Sequence, residues 1–186
     1  MLELDFSDFP QLTTQRLQLR RMTLNDAPAL FRMRNDANVM RYMGRPRAER
    51  MEDVLVLFDT MEKDLSANEG ITWAITLKGT DEVLGTVGFY RLKKAHHRGE
   101  VGYVLHSDHW RKGYMREALA AAVNCGFDRF RFHSIEAETD PRNVASNTVL
   151  ERCGFIREGY FRQNFLSHGE FQDSAVYSIL GTDPRP

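Results

Sequence analysis

Residues 102–118 are the part of the sequence best suited to hold an anionic ligand. They run from a predicted strand through a short polar connection into a predicted helix, and Gly113 stands where that helix begins. The first amides of a helix lack intrahelical acceptors, and the helix dipole favours negative charge beside them. A glycine lets a ligand approach the backbone closely. We therefore predict a diphosphate cradle formed by Arg111, Lys112, Gly113, Tyr114, Met115 and Arg116.

An ordinary amphipathic helix with a basic N-terminus is the alternative interpretation of this stretch. Positive charge at that end of a helix opposes the dipole, so a bound anion would give the basic residues a physical reason. Two other phosphate motifs are absent from the sequence, because neither G-x-x-x-x-G-K-[ST] nor G-x-G-x-x-G occurs.

A second segment, residues 141–155, follows one predicted strand later and reads PRNVASNTVLERCGF. Together the two segments resemble the GNAT superfamily of N-acetyltransferases, in which an N-x-x-[AS] … G-F segment lies along the cofactor. The fuller form here resembles the subgroup that acetylates ribosomal-protein N-termini, as do residues 14–20 and 99–103. The resemblance covers about residues 12–180, and Met115 departs from the small residue that is usual at its position.

The resemblance implies acetyl-coenzyme A as cosubstrate and assigns roles to residues of this sequence. The backbone of Tyr103, Val104 and Leu105 would pair with the pantetheine arm like an added strand. Amides between Arg111 and Arg116 would hold the pyrophosphate, and Asn143 would bond the pantetheine near the sulfur. The sheet would splay between the fourth and fifth predicted strands, residues 99–105 and 134–139, leaving a gap for the cofactor.

Two side chains are candidates for proton transfer. Glu100 is the candidate base for the incoming amine, directly or through water; the alternative is a structural carboxylate paired with an arginine such as Arg98. Many relatives place a tyrosine seven residues after the motif asparagine to protonate the departing thiolate, but Leu150 stands there in this chain. Ser146 is the substitute we predict, and its alternative role is to satisfy amides in the first helical turn.

Hydrophobic periodicity supplies the elements that must position these residues. Alternating apolar residues or bounded apolar runs predict seven strands, and apolar residues three and four apart predict four helices. The strands are residues 16–20, 71–77, 83–90, 99–105, 134–139, 155–165 and 170–180, and the helices are residues 27–34, 51–65, 111–129 and 143–153. The fold class is α/β (α+β), a mixed and mostly antiparallel sheet with one parallel crossover between the fourth and fifth strands.

Composition and charge limit the number of domains, the kinds of partner and the cellular location that fit the sequence. With 186 residues, 42% apolar residues and a formal net charge of −1, the chain predicts one domain over 1–186 and gives no sign of nucleic-acid binding. Two cysteines without C-x-x-C, together with an N-terminus unlike a leader, favour the cytoplasm, and no apolar run reaches the roughly 20 residues of a membrane span. Histidines without accompanying cysteines predict no metal site.

The acceptor is the open part of the interpretation. A protein N-terminal α-amine of the ribosomal type is the first expectation, a small amine such as a polyamine, amino acid or aminoglycoside the second, and a non-catalytic acyl-coenzyme A sensor the third. Loops around residues 36–50 and 160–172 would set that choice. Since members of the family often dimerise, the resemblance also brings a homodimer into consideration.

Overall fold

An eight-stranded sheet with five α-helices forms the fold, which the computed structural model describes over residues 2–167 and 169–186. The strands are β1 (Leu12–Thr13), β2 (Leu17–Arg21), β3 (Ile71–Leu77), β4 (Val83–Lys93), β5 (Arg98–Leu105), β6 (Ser134–Thr139), β7 (Ile156–Ser167) and β8 (Glu170–Leu180). The helices are α1 (Ala27–Asn35), α2 (Ala37–Met40), α3 (Met51–Ser66), α4 (Tyr114–Asp128) and α5 (Val144–Arg152). No helix in the described part of the chain is long and apolar enough to span a membrane.

The strands lie in the order β1-β2-β3-β4-β5-β6-β8-β7. Every neighbouring pair is antiparallel except β5 and β6, which the crossover through α4 makes parallel. This arrangement confirms the predicted mixed sheet and its single crossover. The structure adds β1 and α2, which have two and four residues and are too short to show a hydrophobic period. The predicted hairpin between β7 and β8 is present, while His168 in its turn lies outside the described residues.

Strands β5 and β6 diverge along their length. They pair only from Arg98 to Glu100 on β5 and from Ser134 to Glu136 on β6. Beyond these pairs β5 continues against β4 as far as Leu105, and β6 continues against β8 as far as Thr139. The inner edges of both strands therefore lack a strand partner over their second halves. The predicted splay lies at this point.

Apolar side chains fill both faces of the sheet. One cluster packs α4, α5 and the N-terminal segment against the sheet and includes Trp73, Phe89 and Leu119, each at most 1% exposed. The other packs α1 and α3 against the opposite face and includes Met33 and Val104. Because strand side chains alternate, the two faces of β5 belong to different clusters. Glu100, like Val104, lies on the face covered by α1 and α3.

The start of α1 is fixed by an ion pair of Asp26 rather than by a side-chain cap, although Asn25 and Asp26 are residue types that favour helix caps. Asp26 makes no side-chain hydrogen bond to a helix amide. Its carboxylate instead accepts two hydrogen bonds from Arg20, at 2.8 and 2.9 Å, and one from the Thr23 amide at 2.8 Å. Burial acts to raise the pKa of Asp26, but these bonds outweigh it and hold the pKa below its ordinary value. The pair therefore fastens the start of α1 to the end of β2.

Asp26→Asn should lower the free energy of unfolding by roughly 1.5–3 kcal/mol at pH 7, the range for hydrogen bonds to a charged group. Since the folded-state pKa of Asp26 is depressed, its contribution is present above the ordinary aspartate pKa and is lost as the pH falls through the folded value. Urea unfolding from pH 7 to pH 3 should show that the difference in the free energy of unfolding between the wild type and D26N becomes smaller. Asp59→Asn, which removes an exposed pair with Lys63, is the control and should stay within about 0.5 kcal/mol. A gap independent of pH would contradict this account.

Candidate active site

The loop before α4 has the backbone shape of an anion site. Arg111 and Gly113 both have left-handed backbone conformations, with φ of 61° and 78°. Gly113 is the N-cap of α4, a helix of 15 residues. The left-handed turns face the loop amides toward the same side as the free amides of the first helical turn. Arg111, Lys112 and Arg116 are exposed, whereas the Met115 side chain is buried, so Met115 has only its backbone to offer a ligand.

Arg16 supports this loop and was missed as a site residue by the sequence analysis. Its Nη1 donates to the carbonyl oxygen of Lys112 at 2.9 Å, and its Nε donates to Glu117 at 2.7 Å. Its guanidinium also lies 4.7 Å from the centre of the Tyr114 ring. Burial acts to raise the pKa of Glu117, but hydrogen bonds from Thr14 and Arg16 lower it, so Glu117 is the anion that holds Arg16 against the loop. The signal was available, because Arg16 lies in the 14–20 segment that carried the resemblance.

Asn143 begins α5 on the other side of the gap. Its Oδ1 accepts a hydrogen bond from the Ser146 amide at 3.2 Å, so the Asn143 side chain caps the helix. The side-chain oxygen is therefore used, and the Nδ2 hydrogens of Asn143 remain to donate to a ligand. Across the gap, the free edge of β5 contains Tyr103, Val104 and Leu105. The indole of Trp110 bonds the Leu105 carbonyl at 2.8 Å and fixes the end of that edge.

Tyr103 and Ser146 join β5 to α5. The Tyr103 hydroxyl lies 2.9 Å from Ser146 Oγ and 3.2 Å from the Ser146 carbonyl oxygen. Burial raises the pKa of Tyr103, so its hydroxyl keeps its proton across the physiological range. If Tyr103 donates to Oγ, the serine proton is left for a different acceptor. Ser146 therefore has a hydrogen-bond partner, Tyr103, that lies 43 residues away in the sequence and was not predicted.

Glu100 is paired with Arg91. Both carboxylate oxygens lie 3.2 Å from Arg91 Nη1, and Glu100 is 13% exposed whereas Arg91 is 61% exposed. The alternative role for Glu100, a carboxylate paired with an arginine, is thus present, but the arginine is Arg91, because Arg98 pairs with Glu136 on β6. The carboxylate is therefore largely shielded from solvent, and its partner is an exposed cation.

Tyr90 completes this side of the site and was also missed. It stands opposite Glu100 in the β4–β5 register, and its ring covers Gly102 so closely that a Cβ there would lie 2.5 Å from it. Burial, followed by the charge of Glu100 and a hydrogen bond to it, raises the pKa of Tyr90. Tyr90 therefore stays neutral and can donate to the carboxylate.

The two loops expected to set acceptor choice meet in the structure. The ring of Phe165 on β7 packs against Gly44, where a Cβ would lie 2.4 Å from the ring, and Gly44 has φ of 61°. Asp36 accepts a hydrogen bond from Ser107 at 2.6 Å, which ties the end of α1 to the segment after β5. These contacts arrange the loop after α1 and the β7–β8 hairpin around the open end of the gap.

The cysteines and histidines stand apart from this arrangement. Cys125 and Cys153 are buried, and burial raises the pKa of each thiol to about 11, so neither is a ready nucleophile. Among residues 2–167 and 169–186, no group of three or more His, Cys, Asp or Glu side chains is arranged to hold a metal ion.

Residues 16–156 match the family described as Acetyltransferase (GNAT) domain. The chain belongs to the GNAT family of acetyltransferases. It is 37% identical over 172 residues to the uncharacterised N-acetyltransferase YoaA of Bacillus subtilis, an alignment that covers 92% of this chain and 97% of YoaA. It is 30% identical over 106 residues to the [ribosomal protein uS5]-alanine N-acetyltransferase of Escherichia coli, covering 56% of this chain and 55% of that enzyme. Like these relatives, this GNAT chain is an N-acetyltransferase.

Solved GNAT structures share its architecture. An acetyltransferase of the family from Bacillus anthracis superimposes with a TM-score of 0.83 at 28% identity, covering 92% of this chain and 99% of that one. The spermidine N-acetyltransferase of Vibrio cholerae, solved with coenzyme A and spermine, superimposes with a TM-score of 0.79 at 22% identity, covering 89% and 96%. The second likeness concerns the fold alone.

Gly113→Ala should weaken coenzyme A binding by roughly tenfold, about the size of one lost hydrogen bond to a charged group. Gly79→Ala is the matched control, since Gly79 has φ of 80° against 78° for Gly113 and lies in the turn before β4 with open space around it. Alanine at a left-handed position should cost both variants about 1–2 kcal/mol of stability. Calorimetric titration with coenzyme A and urea unfolding measure the two effects. Equal affinity in both variants would place the phosphate site elsewhere.

Proposed function

We propose that the whole chain acts as one acetyltransferase domain that moves the acetyl group of acetyl-coenzyme A to a primary amine in the cytoplasm. One observation carries the proposal: β5 presents a shielded carboxylate, Glu100, on one face and the Tyr103–Ser146 pair on the other, beside a gap in the sheet. A proton can thus be taken on one side of the strand and given on the other.

The cofactor is proposed to lie in the gap between β5 and β6. The amides from Arg111 to Arg116 bind the pyrophosphate, with the cations of Arg111, Lys112 and Arg116 around it. The pantetheine arm pairs with the free edge at Tyr103, Val104 and Leu105, in the manner of an added strand. Asn143 donates its Nδ2 hydrogens to the same arm from α5. Supporting this placement, both helix starts follow the carboxyl ends of the diverging strands.

The acetyl group then passes directly from sulfur to nitrogen, without a covalent acyl-enzyme. Glu100 takes a proton from the ammonium group, directly or through water, and the amine nitrogen attacks the thioester carbonyl carbon. A backbone N–H at the edge of β5 stabilises the oxyanion. The carbon–sulfur bond breaks, the acetyl group stays on nitrogen, and Ser146 gives its proton to the thiolate. The nitrogen, which is positively charged after the attack, loses its second proton through water to the Ser146 oxygen, and Glu100 releases the first proton to solvent. Tyr103 is a positioning residue, because it acts through its hydrogen bond to Ser146 Oγ.

A protein N-terminal α-amine is the acceptor class we propose first, because the E. coli relative is named for acting on a ribosomal-protein alanine. A small amine is the second class, in line with the spermidine acetyltransferase of the same fold. The third expectation, a sensor that binds acyl-coenzyme A without turnover, loses support because the chain belongs to a family of acetyltransferases, and the next experiment tests it.

Glu100→Gln should lower the rate of thiol release from acetyl-coenzyme A by roughly 10²–10⁴-fold at neutral pH, because the amide cannot accept the amine proton. The assay uses a panel of N-terminal peptides and small amines. Raising the pH should restore part of the rate, since more amine arrives deprotonated, while coenzyme A affinity should change little. Glu138→Gln is the matched control, because Glu138 also contacts Arg91, at 3.8 Å. An equal loss in both variants would assign the effect to Arg91, and a wild type that binds coenzyme A without turnover would identify a sensor.

Ser146→Ala and Tyr103→Phe should each lower kcat while leaving coenzyme A affinity near the wild-type value. If Tyr103 acts through Ser146, the double variant should be no slower than S146A alone, since the two residues form one unit. Ser146→Thr, which keeps a hydroxyl, should retain part of the rate lost in S146A. Independent, multiplying losses would contradict the pairing. A loss of stability of about 1 kcal/mol with unchanged kcat would show that Ser146 only satisfies the start of α5.

A further inference from the structure

Arg34, on the last turn of α1, is a partly buried cation that forms no ion pair with another residue in the described part of the chain. Its Nε is buried and has no hydrogen-bond partner, and none of the ion pairs among the described residues includes it. Burial lowers the pKa of Arg34, and the nearby positive charge of Arg45 lowers it further. A guanidinium nevertheless stays charged in proteins. The buried Nε of Arg34 carries a desolvation cost that no hydrogen bond among the described residues offsets.

The backbone around Arg34 places it at the acceptor end of the site. Its carbonyl oxygen accepts a hydrogen bond from the Ala48 amide at 3.0 Å, which folds the loop after α2 back onto the helix end. Two residues later, Asp36 binds Ser107 just beyond β5. Arg34 therefore lies between that loop and the end of β5, on the face of the sheet that carries Glu100.

Arg45 is a second cation on this side of the sheet. It is exposed on the loop that Phe165 covers, and it has no ion pair with any residue the structure describes. Its positive charge acts to lower the pKa of Arg34 and of Tyr90. Tyr90 stands opposite Glu100 in the β4–β5 register, so this face holds Arg34 and Arg45, neither in an ion pair among the described residues, and the Glu100 carboxylate with its exposed partner Arg91. An acceptor that matches this pattern has an ammonium group and, near it, an anion.

We propose that the acceptor amine carries a carboxylate or phosphate group and that Arg34 and Arg45 bind that group while Glu100 receives the ammonium. The proposal rests on the acetyltransferase function above and narrows its acceptor class to small amines that carry an anion, in preference to the protein N-terminus placed first there. Guanidinium groups bind both anions through paired N–H donors. A polycation such as spermidine, by contrast, would place further positive charge beside two arginines. Arg34 would then be positioned to bind the anion of the acceptor before the acceptor arrives.

The first test measures anion binding apart from acetyl transfer. The protein is saturated with coenzyme A, so that the phosphate cradle is filled, and its melting temperature is followed with inorganic phosphate in one arm and acetate in the other. At least one anion should raise the melting temperature of the wild type and leave the melting temperature of Arg34→Met unchanged. Arg32→Met is the matched control, because Arg32 lies on the same turn and is exposed. The arm that responds identifies the anion.

Stability without anion gives a second measurement of the same proposal. Met fills much of the space of the arginine stem without a charge to desolvate, so Arg34→Met should unfold at the same or higher urea concentration than the wild type. A clear loss of stability would mean that Arg34 is structural and would overturn the proposal. So would an anion shift that is equal in the wild type and Arg34→Met, or no shift with either anion.

The acceptor arm uses pairs of amines that differ only in the anion: phosphoethanolamine against ethanolamine, and alanine against alaninamide. The anionic member of a pair should have the higher kcat/KM, and Arg34→Met should reduce that preference about tenfold or more while sparing the neutral member. Turnover of neutral or cationic amines with no Arg34 dependence would overturn the anion site and leave the acetyltransferase standing. An Arg34-dependent anion shift without thiol release from any amine would keep the site and refute the proposed function.

Discussion

The divergence of β5 and β6 is the constraint on which the rest of the site depends. Both strands stay paired on their outer sides, so the sheet remains continuous while the inner edges lose their partner beyond Glu100 and Glu136. Unpaired backbone groups require a partner, from solvent or from a ligand. The chain then begins α4 and α5 just past the ends of these strands, so two helix N-termini stand at the open end of the gap. A phosphate-bearing ligand with an extended amide arm complements both features.

The alternation of β5 separates two kinds of chemistry within one short strand. Glu100 faces α1 and α3 with Tyr90 and Arg91 beside it, whereas Tyr103 faces α5 and reaches Ser146. Three residues along a strand exchange faces, so the proposed proton acceptor and the proposed proton donor lie on opposite sides of the same backbone. This arrangement would keep the two groups apart and leave the strand edge between them free for the proposed transfer.

Periodicity predicted most of the fold, and motif spacing predicted which residues approach the gap, because both are local properties. The misses were of another kind. The partner of Glu100 depends on the irregular register between Tyr90 and Lys93, where Arg91 has φ of 48°, and no pattern in the sequence announced that turn. Tyr103 and Ser146 are 43 residues apart and meet only once α5 is packed. The sequence analysis made no prediction about Arg34, since its lack of an ion pair among the described residues becomes apparent only in the folded structure.

Several residues at the site have a backbone conformation, charge or burial that costs free energy in the protein without ligand. Arg111 has a left-handed backbone that suits glycine, Arg111 and Lys112 place charge where the dipole of α4 opposes it, and the buried Nε of Arg34 has no hydrogen-bond partner among the described residues. The Asp26 carboxylate, by contrast, is paired, and the cysteines are buried as thiols. Departures of this kind at a site are expected where a ligand completes the structure. Anions at the start of α4 and beside Arg34 would remove these costs, which is the physical reason that cofactor and acceptor should each stabilise the fold.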